Sequence, residues 1–284
     1  MKQGQKGRYL MTRHLTQTPC NRIFQHENIK HIFKPLAQLI ADVSQIANSK
    51  QAYIVGNSST IKAITPEQWA KVHEGFSIGF NTIPLLEAFQ PDLWILEVSK
   101  WWLSEIGVKA LESAKKLFDG TGQKILIKDA YCDDREACAK VAEFALSIKN
   151  ADVYLIQKDY FIQGNGYGNL RERYREVFDS VKRHELPQML IRKRGSLSMA
   201  FYLCLIAKFK RINVLAAELR DSSYFYGEQD ETEHLTECRR YGTPISEVIR
   251  AMVDGFADSW GVLPIIRASG GKLVDNGVAE VLEL

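Results

Sequence analysis

The chain is poor in several features that mark common protein classes. Its 284 residues include only five cysteines: Cys20, Cys132, Cys138, Cys204 and Cys238. They are odd in number, scattered, and never in a C-x-x-C pair. That argues against structural zinc and against a disulfide framework, and it fits a reducing cytoplasm. Long apolar runs are also missing. The longest, Met199 to Ala207, has nine residues, whereas a membrane-spanning helix needs about twenty. No transmembrane segment is expected. The N-terminus is basic but has no apolar core, which excludes a secretory signal. Neither sign of charge dominates: 37 basic residues face 34 acidic ones, a net +3. So small a surplus does not suit a nucleic-acid partner. There is no H-x-x-x-H and no D-x-D. There is no G-x-G-x-x-G, and no Gly-Lys-Ser/Thr ending of a phosphate loop. No metal site is expected.

What is present reads as a globular α/β chain. Hydrophobic residues make up 45% and charged residues 25%, ordinary values for a folded domain. Residues 1 to about 27 read as a loose polar tail. Asn28 to Asn48 reads as an amphipathic helix, with Ile29, Ile32, Phe33, Leu36, Leu39, Ile40 and Val43 at helical spacing. About seven short apolar strands follow, at 51–55, 76–80, 93–98, 124–127, 153–156, 212–219 and 262–266. Helices are expected between them: from Pro66 with Thr65 as cap, 101–118, 134–149 capped by Asp133, 170–183, 196–209 and 246–259. Strands alternating with helices imply a single Rossmann-like, doubly wound, mainly parallel sheet with helices on both faces. The chain divides into an N-terminal tail and helix, 1–48, and one α/β catalytic domain, 49–284.

Four segments carry candidate chemistry. The first is Gly56-Asn57-Ser58-Ser59-Thr60-Ile61-Lys62, directly after the first strand. Ligands of open α/β sheets bind beyond the carboxyl ends of strands. There Gly56 permits close approach, and Asn57, Ser58 and Ser59 offer polar side chains and amides. The second is Asn81, ending the next strand; its amide both donates and accepts. The third is Ser196, read as the N-cap of an apolar helix whose free amides suit a phosphate. The fourth is the polar loop after 212–219. It holds Glu218, Tyr224, Tyr226, two further glutamates and His234, an imidazole able to take a proton near neutral pH. The glycine-rich stretch Gln163–Asn169 is read as a lid. Basic clusters at Arg192–Arg194 and Lys208–Arg211 are solvated faces able to touch an anionic membrane surface.

In this order and spacing the segments resemble the bacterial sialyltransferases of lipooligosaccharide biosynthesis, a GT-A-like, CMP-sugar-dependent family. That family opens with a strand and a Gly-Asn-Gly-Pro-Ser-Leu-Lys turn, matched here by Gly56 to Lys62. It then has an Asn ending the second strand (Asn81). A Ser opens an apolar helix (Ser196), and a strand ends near an acidic residue (Glu218). The resemblance implies nucleotide contacts from Gly56, Asn57, Ser58, Ser59, Asn81, Ser196 and Glu218. It also implies tyrosines that hold the leaving phosphate (Tyr224, Tyr226) and a general base (His234). The family's Asn at the end of the third strand is replaced here by Glu97, Val98 or Ser99. The implied reaction is inverting and metal-independent transfer of a sialic-acid-like or Kdo-like sugar from its CMP donor to a glycan or glycolipid. It needs no cofactor beyond that co-substrate. The implied location is cytoplasmic, peripheral at the inner membrane, with homo-oligomerisation left open. Two alternatives stay open: a pterin diphosphokinase-like enzyme, from a family that shares the turn, and a non-catalytic nucleotide-binding protein.

Overall fold

The computed structural model of the chain describes residues 10–13, 23–24, 30–128, 134–156, 159–162, 164–183, 190–192, 195–217, 243–269 and 279–281. Twelve strands and seven α-helices are present among the described residues. In chain order they are β1 (Leu10–Arg13), β2 (Phe33–Lys34), α1 (Leu36–Ala47), β3 (Ala52–Val55), α2 (Pro66–Glu74), β4 (Phe76–Phe80), β5 (Leu93–Glu97) and α3 (Glu105–Phe118). Then come β6 (Lys124–Lys128), α4 (Arg135–Ser147), β7 (Asp152–Ile156), β8 (Asp159–Ile162), α5 (Tyr167–Lys182), β9 (Ile191–Arg192), α6 (Gly195–Ile206), β10 (Arg211–Leu215), α7 (Ile245–Trp260), β11 (Ile265–Ala268) and β12 (Glu280–Val281).

Nine of the strands form one open sheet in the order β12-β11-β10-β3-β4-β5-β6-β7-β2. Every neighbouring pair in it is parallel. The expected seven strands become nine because two-residue strands β2 and β12 extend the edges. Two residues are too few to carry an alternating or apolar pattern. Side chains alternate across the sheet. Ile54, Ile78, Ile95, Leu126 and Tyr154 join a core with α1, α5, α6 and α7. Trp94, Leu96, Ile125, Ile127, Val153 and Leu155 join another with α3 and α4. Tyr53 and Val55 meet Trp69 and Val72 of α2. Both faces are therefore covered, which is why the strands read as unbroken apolar runs.

Local signals explain several boundaries. Thr65 and Gln68 close a reciprocal capping box on α2, with Pro66 at its first position. Asp134, not Asp133, caps α4 by accepting from the amides of Glu136 and Ala137. The helix expected over 101–118 is interrupted: Lys100–Leu103 is a 3-10 turn, and Ser104 caps α3 proper. The helix expected over Asn28–Asn48 is interrupted: Lys30 is helical, but Phe33 and Lys34 are extended and pair with β7, and α1 starts at Leu36. Pro35 enforces this, since the residue before a proline is pushed out of the helical region. The loose tail also needs correcting. Residues 10–13 pair antiparallel with β8 in a separate three-stranded sheet, and Phe24 is fully buried against the α3–α4 core. The segment 33–47 thus belongs to the main sheet and core.

The glycine-rich lid is in part helix. Gly166, with φ 80°, caps α5, and Tyr167 to Asn169 form its first turn. Tyr167 donates its hydroxyl to Asp254 of α7, and Arg250 lies over its ring. Tyr167 also takes a hydrogen bond from Arg171. Tyr167 thus ties the start of α5 to α7.

Cys138 is disulfide-bonded, whereas Cys204 is a buried free thiol. One bridge is not a framework, but it removes the cysteine argument for a reducing compartment. Among the described residues no helix is long and apolar enough to cross a membrane.

Candidate functional site at the carboxyl edge of the sheet

The chain runs from β3 outward through β4, β5, β6 and β7. It then returns to lay β10 on the opposite side of β3 and continues to β11 and β12. Strand order therefore reverses beside β3. In open α/β sheets the crevice outside the carboxyl ends at such a reversal is where ligands sit. The turn Gly56–Lys62 lies at this point.

Gly56 is there for the protein's own backbone. A Cβ at this position would lie 2.2 Å from the carbonyl oxygen of Ala216 and 2.9 Å from the Cα of Ala217. The amides of Gly56 and Ser58 donate to Leu215 O and Ala216 O at 2.8 and 2.9 Å. They are engaged in closing β3 against β10, not turned to an anion. Ser58 accepts from the amide of Thr60 and caps a short 3-10 turn, Ser59–Ala63. Ala216 is held at φ 47°, a left-handed conformation that costs a residue with a Cβ about 1–2 kcal/mol. Asn57 is different. Its side-chain carbonyl oxygen is buried and has no hydrogen-bond partner.

Asn81 ends β4 at φ 38°, a conformation asparagine tolerates better than most residues. Its Oδ1 accepts from the amide of Glu97 at 2.9 Å, and its backbone carbonyl accepts from Trp94 Nε1 at 3.0 Å. Asn81 thus locks the end of β4 to the end of β5. Beside it, the hydroxyl of Thr82 is buried without a partner.

The next two strands end in a charged pair. Glu97 and Lys128 are register partners on β5 and β6. Lys128 Nζ donates to Glu97 Oε2 at 2.6 Å. Lys128 is 1% exposed, while the Glu97 side chain is 33% exposed. Ser196, in the first turn of α6, donates its hydroxyl to the same carboxylate oxygen at 3.2 Å, and Lys128 Nζ also reaches Ser196 Oγ at 3.4 Å. Ser196 is inside α6, so its hydroxyl serves this cluster and not the cap expected of it. The Glu97 carbonyl accepts from Trp102 Nε1 at 2.6 Å. Both main-chain polar groups of Glu97 are therefore fixed, and Lys128 and Ser196 both donate to its carboxylate.

The structure thus joins two of the predicted residues, Asn81 and Ser196, through Glu97, and sets the Gly56–Ser59 turn on the adjoining strands. Glu218, Tyr224, Tyr226 and His234 lie outside the described residues. Lys128 was not singled out by the sequence. The usable signal was a lysine closing an apolar strand, KILIK, directly after a strand closing in glutamate, LWILE. A cleft of about 290 Å³ opens at the other edge of the sheet, lined by His73, Gln90, Asp92, Gln123 and Lys124 among others. The Gln123 amide there is spent on the carbonyls of Pro91, Asp92 and Lys124. Among the described residues no three His, Cys, Asp or Glu side chains gather as a metal site.

A scan against protein-family models finds no match, and a search of curated proteins finds none either.

Proposed function

We propose that this chain is a CMP-sugar-dependent glycosyltransferase whose nucleotide lies across the carboxyl edge where the strand order reverses. The observation that carries the reading is the buried, partnerless carbonyl oxygen of Asn57 at that reversal. An orphaned buried acceptor costs about 1–3 kcal/mol, and a ligand donor such as the exocyclic amine of cytosine would satisfy it. The doubly wound, Rossmann-like arrangement belongs to the same reading and is supported by the order of β10, β3 and β4.

In this proposal the acceptor hydroxyl attacks the anomeric carbon of the donor sugar. The bond from that carbon to the phosphate oxygen breaks, and CMP departs with the electron pair. His234 takes the acceptor's proton, Tyr224 and Tyr226 hydrogen-bond the leaving phosphate, and Glu218 lies beside the nucleotide. One displacement inverts the anomeric centre. The work of the protein is positioning and electrostatics.

The test is a thermal-shift screen of the full chain with CMP, CDP, UDP, ATP and NAD. A ligand at a hundred times its Kd stabilises the native state by about 2.7 kcal/mol. Cytidine nucleotides should raise the melting temperature most, and Asn57→Ala should lose that rise while melting at or above the wild type without ligand, since the orphaned oxygen is gone. A rise with ATP alone would favour the diphosphokinase-like alternative. Unchanged CMP binding in Asn57→Ala would remove the site.

A further inference from the structure

We infer that the amino rim of the sheet, around the turn Gly261–Pro264, is a contact surface for an anionic lipid bilayer; the inference does not depend on the nucleotide reading above. Of the six large apolar side chains exposed among the described residues, three stand here: Val262, Leu263 and Ile265. The fold holds the first two out. Gly261 ends α7 at φ 69°, a conformation that suits glycine, and Pro264 is buried. Between these two anchors Val262 and Leu263 are 58% and 65% exposed. An apolar tip fixed in this way marks a surface that something covers.

The cations around the tip select what covers it. Lys210 and Arg211 are exposed at the start of β10. The Lys210 carbonyl accepts from the amide of Ile265 at 2.9 Å, and Arg211 is the register partner of Ile265. Trp260, the residue before the turn, carries Lys208 Nζ 4.4 Å and Lys182 Nζ 5.8 Å from its ring centroid. Lys182 also donates to the carbonyl of Ser259 at 3.1 Å. None of these four cations is ion-paired to a described residue, whereas the nearby acids Asp258 and Glu280 are held by Arg171 and Arg267.

A nucleic acid or a free phosphate would use the cations and leave the aliphatic tip in water. An apolar protein face would bury the tip and strand the cations. The surface of a bilayer containing anionic lipid satisfies both sets. The tip enters the boundary of the acyl chains, and the long basic side chains reach the phosphates at headgroup level. An aromatic ring flanked by lysines suits the same interface.

This contact also fixes an orientation. β10 and β11 are parallel and start at this rim, so the crevice beside β3 lies at the opposite end of the sheet. The five residues of β10, at about 3.3 Å each, separate the two edges by roughly 17 Å. The bound chain therefore keeps its carboxyl edge open to water.

The experiment is flotation of the full-length chain with vesicles of phosphatidylcholine alone, or of phosphatidylcholine with about a third phosphatidylglycerol. The wild type should float with the anionic vesicles and not with the neutral ones. Salt should release it, because the screening length falls from about 10 Å at 0.1 M to about 3 Å at 1 M. Lys210→Gln/Arg211→Gln should weaken partitioning about 25-fold, or about fivefold for each cation. Val262→Ser/Leu263→Ser should weaken it at least about tenfold. Both double variants change exposed side chains and should melt as the wild type does. Failure of the wild type to float with anionic vesicles overturns the inference, as does flotation left unchanged by either double variant. If only the cationic variant loses flotation, and heparin displaces the wild type, the rim binds polyanions and not a lipid surface.

Discussion

Replacing Gly56 by alanine tests the account of the β3–β10 junction. The added methyl would lie 2.2 Å from Ala216 O, 2.8 Å from Ala216 C and 2.9 Å from Ala217 Cα. All three are main-chain atoms and cannot rotate away. Either β3 and β10 separate at their ends, or the turn shifts. Overpacking of this kind costs about 1–3 kcal/mol. Separation also stretches the hydrogen bonds from Gly56 N to Leu215 O and from Ser58 N to Ala216 O, each worth about 1 kcal/mol. The expected loss is about 3 kcal/mol, or roughly 6–12 °C in melting temperature at about 2–4 °C per kcal/mol. Thermal melts by circular dichroism, with urea titration as a check, read it directly. Gly168→Ala is the control: it lies in α5, and nothing within 4 Å meets its Cβ. Alanine is the better helix former by about 1 kcal/mol, so that variant should melt at or slightly above the wild type. If Gly56→Ala melts within about 1 kcal/mol of the wild type, the glycine is not required by the approach of the two strands.

Other perturbations separate the remaining arguments. Glu97→Ala deprives the sealed Lys128 of its carboxylate and should cost about 3 kcal/mol in urea unfolding; a loss below about 1 kcal/mol would mean that the ion pair does not stabilise the edge. Ala216→Gly relieves the residue held at φ 47° and should raise stability by about 1 kcal/mol, so a lower melting temperature would refute the strain. The Arg171 guanidinium hydrogen-bonds Asp258 and holds its carboxyl below the usual range. A depressed folded-state pKa contributes stability that is complete above the unfolded value of about 4 and is lost as pH falls through the folded one. Between pH 5 and pH 3 the wild type should therefore lose more melting temperature than Asp258→Asn, and parallel losses would show that this pair does not couple to folding.

The sheet was legible because its strands are buried on both faces. AYIV, FSIGF, LWILE and DVYLI stand out as apolar runs between turn residues. The two-residue edges, β2 and β12, have no such signature and are defined only by their neighbours. The helix expected from Asn28 failed at Pro35, where a local rule outweighed a periodic pattern. At the candidate site, the Gly56 turn and Asn81 announced themselves by residue type and position. Their partners did not. That Glu97 faces Lys128 follows from the register of β5 on β6, and that Ser196 reaches both follows from where α6 begins. Neither can be read along a chain in which these residues stand 31 and 99 positions from Glu97.

The position of β3 also sets an order of events during synthesis. β3 is flanked by β4, which follows within about 20 residues, and by β10, which follows only after about 150. On a ribosome adding about 5–20 residues per second, that is roughly eight to thirty seconds. For this interval one side of Ala52–Val55 can be paired while the other presents unmatched amides and carbonyls, the feature that invites pairing with a foreign strand. The half-sheet from β3 to β7 must wait for its other half. Slow translation between β7 and β10 lengthens the time in which a nascent chain can aggregate through that open side.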